Sequence, residues 1–321
     1  MNRSRAFLLG SLVLGLIALS AARPLRSGGQ NTIAGEWFVS DSKTDGFVQL
    51  TLQRKASGSH FSSSNRVRLS QLSGLSAAEM RGDGAVARFE IAREAGTIQC
   101  EGSFKNGKGS GTFVFKPNQN YLSEMRGLGY ENLSDDRMFS LASHDVRLEL
   151  VRGLNAAGYE HTDIDQLISM QIHRVGLDFI GELRSLGYER VPVDELVSMR
   201  IHGVGADFIR TLKGFGYDRV DVDELVSMRI HGVGSDFIGA LAEQGYERVP
   251  VDELVSMRIH GVTISFIKEL KTLGYDGVPV DQLVSMQIHG VTPEFIKREK
   301  DREGKNVSVE DLISRRIHST E

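Results

Sequence analysis

The chain has a single cysteine, Cys100, among its 321 residues. An intramolecular disulfide is therefore impossible, and a metal site built on several thiolates is excluded. Cys100 reads as a small buried apolar residue. Positive charge is in deficit as well: 38 Lys and Arg against 42 Asp and Glu leave a formal net charge of −4. Nucleic acid, which needs a clustered positive surface, is not an expected partner. No apolar run reaches the ~20 residues of a membrane-spanning helix. Neither HExxH nor a GxxxxGK[ST] phosphate loop occurs, and no Ser/His/acid or paired-carboxylate arrangement stands out. No catalytic residue, metal or cofactor is expected.

The chain does carry an export signature. Arg3 and Arg5 precede an apolar or small stretch from Ala6 to Leu19, followed by Ser20, Ala21 and Ala22. This pattern predicts a signal peptide over residues 1–22 and an extracytoplasmic protein; the alternative is an anchor in the inner membrane through residues 6–22. Loss of Arg3 and Arg5 with the leader takes the formal charge from −4 to −6. A polar linker, residues 23–33, follows.

Residues 34–117 show period-two alternation, as in Val48, Leu50 and Leu52 or Phe89 and Ile91. Such a pattern predicts half-buried strands, about six of them, in a small antiparallel sandwich or open barrel. Asn106-Gly107 marks a two-residue hairpin turn. That turn sets Lys105 opposite Lys108, Phe104 opposite Gly109, Cys100 opposite Phe113 and Ile98 opposite Phe115, with the apolar residues on one face. Trp37 and Phe47 are expected in the same core, and Ser57 to Ser64, around His60, as a polar loop. Gly107-Lys108-Gly109-Ser110-Gly111 is turn and bulge glycine, since a strand follows where a phosphate loop needs a helix N-terminus.

From residue 118 to 321, seven copies align without a gap at a period of 29, starting at Asn118, Arg147, Gly176, Gly205, Gly234, Thr263 and Thr292. A fixed period of this size predicts stacked supersecondary units, here an α-helical solenoid of two-helix repeats. In the third copy Phe179, Ile180, Leu183 and Leu186 form one apolar stripe, closed by Gly187 and Tyr188 in a Schellman ending. The second helix opens near Pro192 and Asp194 and closes at Gly203. Ser or Asp at its start, with Gln, Glu or Asp three residues on, resembles a capping box; the proline copies cannot use it fully. Helices this short are not stable alone, so each must be held by its neighbours. In the seventh copy the charged run from Lys297 to Lys305 suits a solvent-facing end.

Two columns of the repeat draw attention. His173, His202, His231, His260, His289 and His318 sit in a last helical turn before a glycine or close to it, where they read as helix caps. Equivalent side chains in stacked copies lie roughly 10 Å apart, too far to share one metal ion. Arg200, Arg229, Arg258 and Arg316, with Gln171 and Gln287, fall inside the apolar arc of the second helix. An unpaired buried charge is costly, so these arginines either pair in an inter-repeat ladder with the acidic column Asp194, Asp223, Asp252 and Asp281 or extend their heads to the surface. Positions that vary between copies, such as Gly181/Arg210/Gly239/Lys268 and Arg184/Lys213/Ala242/Lys271, are expected to form the exposed contact face.

The repeat core Asp178-Phe179-Ile180, Leu186-Gly187-Tyr188 and Val193 through Val204, with Thr292-Pro293-Glu294-Phe295-Ile296 in the last copy, resembles repeats of exported acidobacterial proteins. Similar repeats accompany some membrane metallopeptidases of the β-lactam-sensor type in their extracytoplasmic tails. The segments from Arg93 to Thr97 and from Gly111 to Phe113 look like the β module that precedes them. The resemblance covers roughly residues 35 to 321 and implies an extracytoplasmic accessory or sensing role. The peptidase part has no counterpart here. The expected function is an interaction scaffold whose partner is a protein or an envelope component, with the membrane involved only if the N-terminal segment is retained. The alternatives are a small-ligand sensor, with the ligand in the β domain, and, less favoured, a hydrolase.

Overall fold

The computed structural model describes residues 33–56, 59–84, 86–304 and 306–318. The export segment 1–22 and the linker up to residue 32 lie outside them. The chain divides into two compact units between Asn118 and Gln119.

In the first unit β1 (Ile33–Asp41), β2 (Phe47–Ala56), β3 (Ser59–Arg68), β4 (Val86–Arg93), β5 (Gly96–Lys105) and β6 (Lys108–Pro117) form one open antiparallel sheet. Their order is β3-β2-β1-β6-β5-β4. The β5–β6 register pairs Lys105 with Lys108, Cys100 with Phe113 and Ile98 with Phe115, as the turn chemistry predicts. Asn106 and Gly107 take φ of 51° and 74°, the positive values a two-residue hairpin turn needs. The stretch expected to be a loop around His60 is instead mostly β3, paired residue for residue with β2. An edge strand gains its hydrogen bonds from the backbone ladder, so polar side chains such as Ser62 and Ser64 do not prevent it.

Trp37 is the centre of this unit, 0% exposed. Its ring meets Phe89 edge-on at 4.9 Å and Phe104 at 5.6 Å, and its Nε1–H donates to the Glu101 carbonyl at 3.2 Å. The paired glycines Gly102 and Gly111 make room for it: a Cβ on Gly102 would lie 2.6 Å from the indole and 2.2 Å from the Ser110 carbonyl. Beyond β3 the chain crosses to the free edge of β4, where Ser73 and Glu90 exchange two backbone hydrogen bonds of 2.9 and 2.8 Å. The short helix α1 (Ala77–Arg81), closed at its start by a Ser76–Glu79 capping box, adds Met80 to the core.

Among the described residues of the second unit, fourteen helices follow, two per copy. The first helices are Gln119–Gly127, Leu148–Ala156, Leu177–Ser185, Ala206–Gly214, Ser235–Glu243, Ile264–Thr272 and Pro293–Glu303. The second helices are Asp135–Ser143, Ile164–His173, Val193–Ile201, Val222–Ile230, Val251–Ile259, Val280–Ile288 and Val309–His318. First helices pack on the first helices of adjacent copies and second on second, the second-helix layer being the tighter of the two. The second to sixth copies each bury a Leu of the first helix and a Leu and Met of the second, such as Leu212, Leu225 and Met228. Full burial of such a side chain is worth about 1.5–3 kcal/mol, which is what holds helices too short to stand alone.

The local chemistry of the helix ends follows the sequence. Gly187 has φ of 94°, its N–H donates to the Arg184 carbonyl at 2.9 Å, and Tyr188 N–H donates to the Leu183 carbonyl at 3.0 Å. Asp163 and Gln166 form a reciprocal capping box, whereas Pro192, Pro250 and Pro279 provide no side-chain cap. Thr292 caps the last first helix, with Pro293 at its opening position.

Candidate functional site

The arginine column takes other partners than the expected carboxylates. Arg200, Arg229 and Arg258 lie over the rings of Phe179, Phe208 and Phe237 at 4.9 to 5.0 Å, each ring coming from the first helix of the same copy. Arg229 Nε also donates to the His202 carbonyl at 3.4 Å, and Arg258 Nε to that of His231, both across the copy boundary. Arg316 lies over Phe295 and donates to the Gly290 carbonyl at 3.0 Å. No carboxylate of the described residues comes within 4.0 Å of Arg200, Arg229 or Arg258. These three arginines are exposed, and a guanidinium seated over an aromatic ring at the surface avoids the burial that the carboxylate ladder was invoked to relieve.

His202, His231, His260 and His289 occupy the C-cap position of their helices, while His173 and His318 are the last helical residues. Their contribution to the array is the backbone, since their carbonyls receive the arginines of the next copy at His202 and His231. The capping is thus done to the histidine by its neighbour.

A register ladder does run through the array, and it is built on tyrosine. The phenols of Tyr188, Tyr217, Tyr246 and Tyr275 donate to the carbonyls of Val220, Val249, Val278 and Val307, each at 2.7 Å and each 32 residues ahead. Tyr130 does the same to Thr162. The tyrosine column was visible in the sequence; its partner was not, because it lies in a loop of the following copy.

The variable positions expected to form a contact face are partly structural. Arg184 donates to the Ala157 carbonyl, Lys213 Nζ to that of Leu186 at 3.0 Å, and Lys300 Nζ to that of Leu273 at 2.7 Å. Each cation closes the C-terminal end of the preceding copy's first helix. Arg210 and Lys268 remain exposed.

The second-helix layer is what stands out instead. Ile172, Ile201, Ile230, Ile259 and Ile288 are each 54% exposed, and Ile317 is 43% exposed. These residues point away from Leu196, Met199 and their equivalents. With them on these helices lie an acid two turns earlier and, between, a Val or Ile followed by a Ser, as in Asp194, Val197, Ser198 and Ile201, where Val197 and Ser198 are half-buried. An Ile recurring at this position in six copies was the signal available in the sequence.

The acidic end of this face is unevenly neutralised. In the outer copies Arg137 pairs with Asp165, Gln166 donates to Asp194 at 3.3 Å and Gln282 to Glu310 at 2.6 Å. At the equivalent positions of the middle copies an acid follows an acid: Glu195 with Asp223, Glu224 with Asp252, Glu253 with Asp281. None of these six has a cationic side chain within 4.0 Å among the described residues.

Elsewhere the chemistry is sparse. Burial pushes the Cys100 thiol well above its ordinary range, which suppresses thiolate formation. The interior of the β unit is occupied by Trp37, Phe89 and Phe104, and a hollow of about 530 Å³ at its rim, bordered by Phe47, Arg68 and Leu75, is open to solvent. Among the described residues no three His, Cys, Asp or Glu side chains converge as metal ligands, and no helix is long and apolar enough to cross a membrane. No protein-family model matches the chain, and the comparison with curated proteins yields no match.

Proposed function

We propose that this chain is an exported, non-enzymatic interaction scaffold that binds a protein or an envelope component through its helical repeats. The observation that carries the reading is the isoleucine column. Burial of an apolar residue is favourable and its exposure gains nothing, so a half-exposed Ile repeated in six copies is accounted for by a partner that covers it. The near-identity of the middle copies suits a multivalent surface better than a single reactive pocket. The export signature of residues 1–22 and the likeness to repeats of exported proteins support a place outside the cytoplasm.

The test is co-purification from the envelope of the producing cell with full-length protein, unaltered or carrying Ile201→Ser, Ile230→Ser and Ile259→Ser together. The unaltered chain retains a defined component that the triple variant loses. Retention of the same component by both would move the contact off the second-helix face.

A further inference from the structure

The second-helix face has a fixed chemistry along the array, and that chemistry narrows the kind of partner it fits. This inference rests on the reading of the repeats as a binding surface. We propose that the face receives a basic amphipathic α-helix lying across the second helices, along the direction in which the copies stack, with one apolar side chain per copy.

Spacing is the first argument. Packed helices lie about 8–10 Å apart, so the exposed isoleucines recur at roughly that interval. An α-helix rises ~1.5 Å per residue, so side chains seven apart recur every ~10.5 Å on nearly the same side. A heptad-patterned helix therefore presents one apolar residue to each of Ile172, Ile201, Ile230, Ile259 and Ile288. The pair one turn before each of these Ile residues, Ile168/Ser169 in the second copy and a Val/Ser pair such as the half-buried Val197/Ser198 in the next four, provides the floor on which such a helix rests.

Charge is the second argument. Asp194 and Ile201 are seven residues apart on one helix, a separation of about 10 Å, which matches the diameter of a helix laid between the two columns. One flank of that helix then meets Asp194, Asp223, Asp252 and Asp281, backed by Glu195, Glu224 and Glu253. Asp194 accepts from Gln166, whereas Asp223, Asp252 and Asp281 have an acid at that position of the preceding copy and no cation within 4.0 Å among the described residues. Carboxylates in the first turn of a helix are explained by its dipole. The dipole does not explain their alignment across copies beside an exposed apolar column. Lys or Arg along that flank supplies the missing counter-charge, and the apolar stripe supplies cover for the isoleucines. The opposite flank needs no strong charge, because the arginines there are already seated on phenylalanine rings and carbonyls.

The experiment uses the full chain and two synthetic helices of about 28 residues, four heptads, with Leu at every seventh position. One carries Lys along the flank and the other Glu. Affinities are measured by fluorescence anisotropy at two ionic strengths, and sedimentation of the protein alone is recorded in parallel. The Lys helix binds, binding tightens with each added heptad and weakens with salt, and the Glu helix does not bind. The Ile201→Ser, Ile230→Ser, Ile259→Ser variant weakens the Lys helix by at least about tenfold while its circular dichroism stays that of the unaltered chain. An Ile230→Lys variant, intact in fold at so exposed a site, weakens it through repulsion. Equal binding of both helices, or no effect of the Ile variants, overturns the proposal. A dimer that the triple variant dissociates would assign the face to a second copy of this chain and also overturn it. If neither helix binds while envelope co-purification still depends on the isoleucines, the helical partner is wrong and the scaffold reading stands. If that dependence is absent too, both fall.

Discussion

Tyr217 illustrates how a single side chain ties two copies together. Its backbone N–H donates to the Leu212 carbonyl at the end of its own first helix at 3.1 Å, and its hydroxyl donates to the Val249 carbonyl of the next copy at 2.7 Å. A hydrogen bond of this kind contributes about 1 kcal/mol net, and removal of the donor leaves a carbonyl without its partner. Tyr217→Phe is expected to lower stability by about 1 kcal/mol in urea denaturation. The tyrosines also set an alkaline limit. Burial, the largest cause, raises the phenol pKa of Tyr188, Tyr217, Tyr246 and Tyr275 above the ordinary value near 10. The folded array therefore holds the phenol protons more firmly than the unfolded chain. The stabilisation is complete below pH ~10 and is lost as pH rises through the higher folded value. Thermal melting should fall above pH ~10, and less steeply in a chain with these four tyrosines replaced by Phe. A melting curve flat to pH ~12 would contradict this.

At the scale of the helix, the seventh copy shows how the array is ended. Glu299 stands where the earlier copies have Leu154, Leu183, Leu212, Leu241 and Leu270, and Arg315 stands where they have Met170, Met199, Met228, Met257 and Met286. Only the acid lies in the interior of its copy: Glu299 is 4% exposed and accepts from the half-exposed Arg315 at 3.1 Å and from Arg302 at 2.7 Å, while Arg315 also reaches Glu303 at 2.8 Å. The charged run read as a solvent-facing end thus includes one buried carboxylate held by half-exposed and exposed arginines. An ion pair with a buried member is costly to break and often neutral to replace with apolar groups. Arg315→Met alone should lower the melting temperature, moderated because Arg315 is half-exposed and Glu299 keeps Arg302. Glu299→Leu with Arg315→Met rebuilds the interior of the other copies and should melt no lower than the unaltered chain. A double variant less stable than Arg315→Met would refute that account.

Much of the element level was legible because it rests on local rules. The 29-residue period, the Gly-Tyr endings, the capping box at Asp163 and the Asn106-Gly107 register all depend on neighbours in sequence. What sequence could not supply were contacts made between copies. The donors at Arg229, Lys213 and Tyr217 each pair with a backbone carbonyl 27 to 32 residues away, and a carbonyl leaves no mark in the sequence. Assigning Arg200 to a carboxylate followed the only charged partners the letters show. Likewise the first half of β3, around His60, reads as a loop because its side chains are polar, while its pairing is by backbone.

For the molecule as a whole, the two units carry different loads. The β unit is a filled core around Trp37, and the helical unit repeats one solvent face in copy after copy. The proposed role depends on that face, and most directly on which side of the helical layer meets a partner. A photo-reactive amino acid placed at Ser227, on the second-helix face beside Ile230, and separately at Lys268, on the exposed side of a first helix, distinguishes the two in the living cell. Cross-linking is expected to give a discrete adduct from position 227 and none from position 268. An adduct from 268 with none from 227 would contradict the assignment of the contact surface.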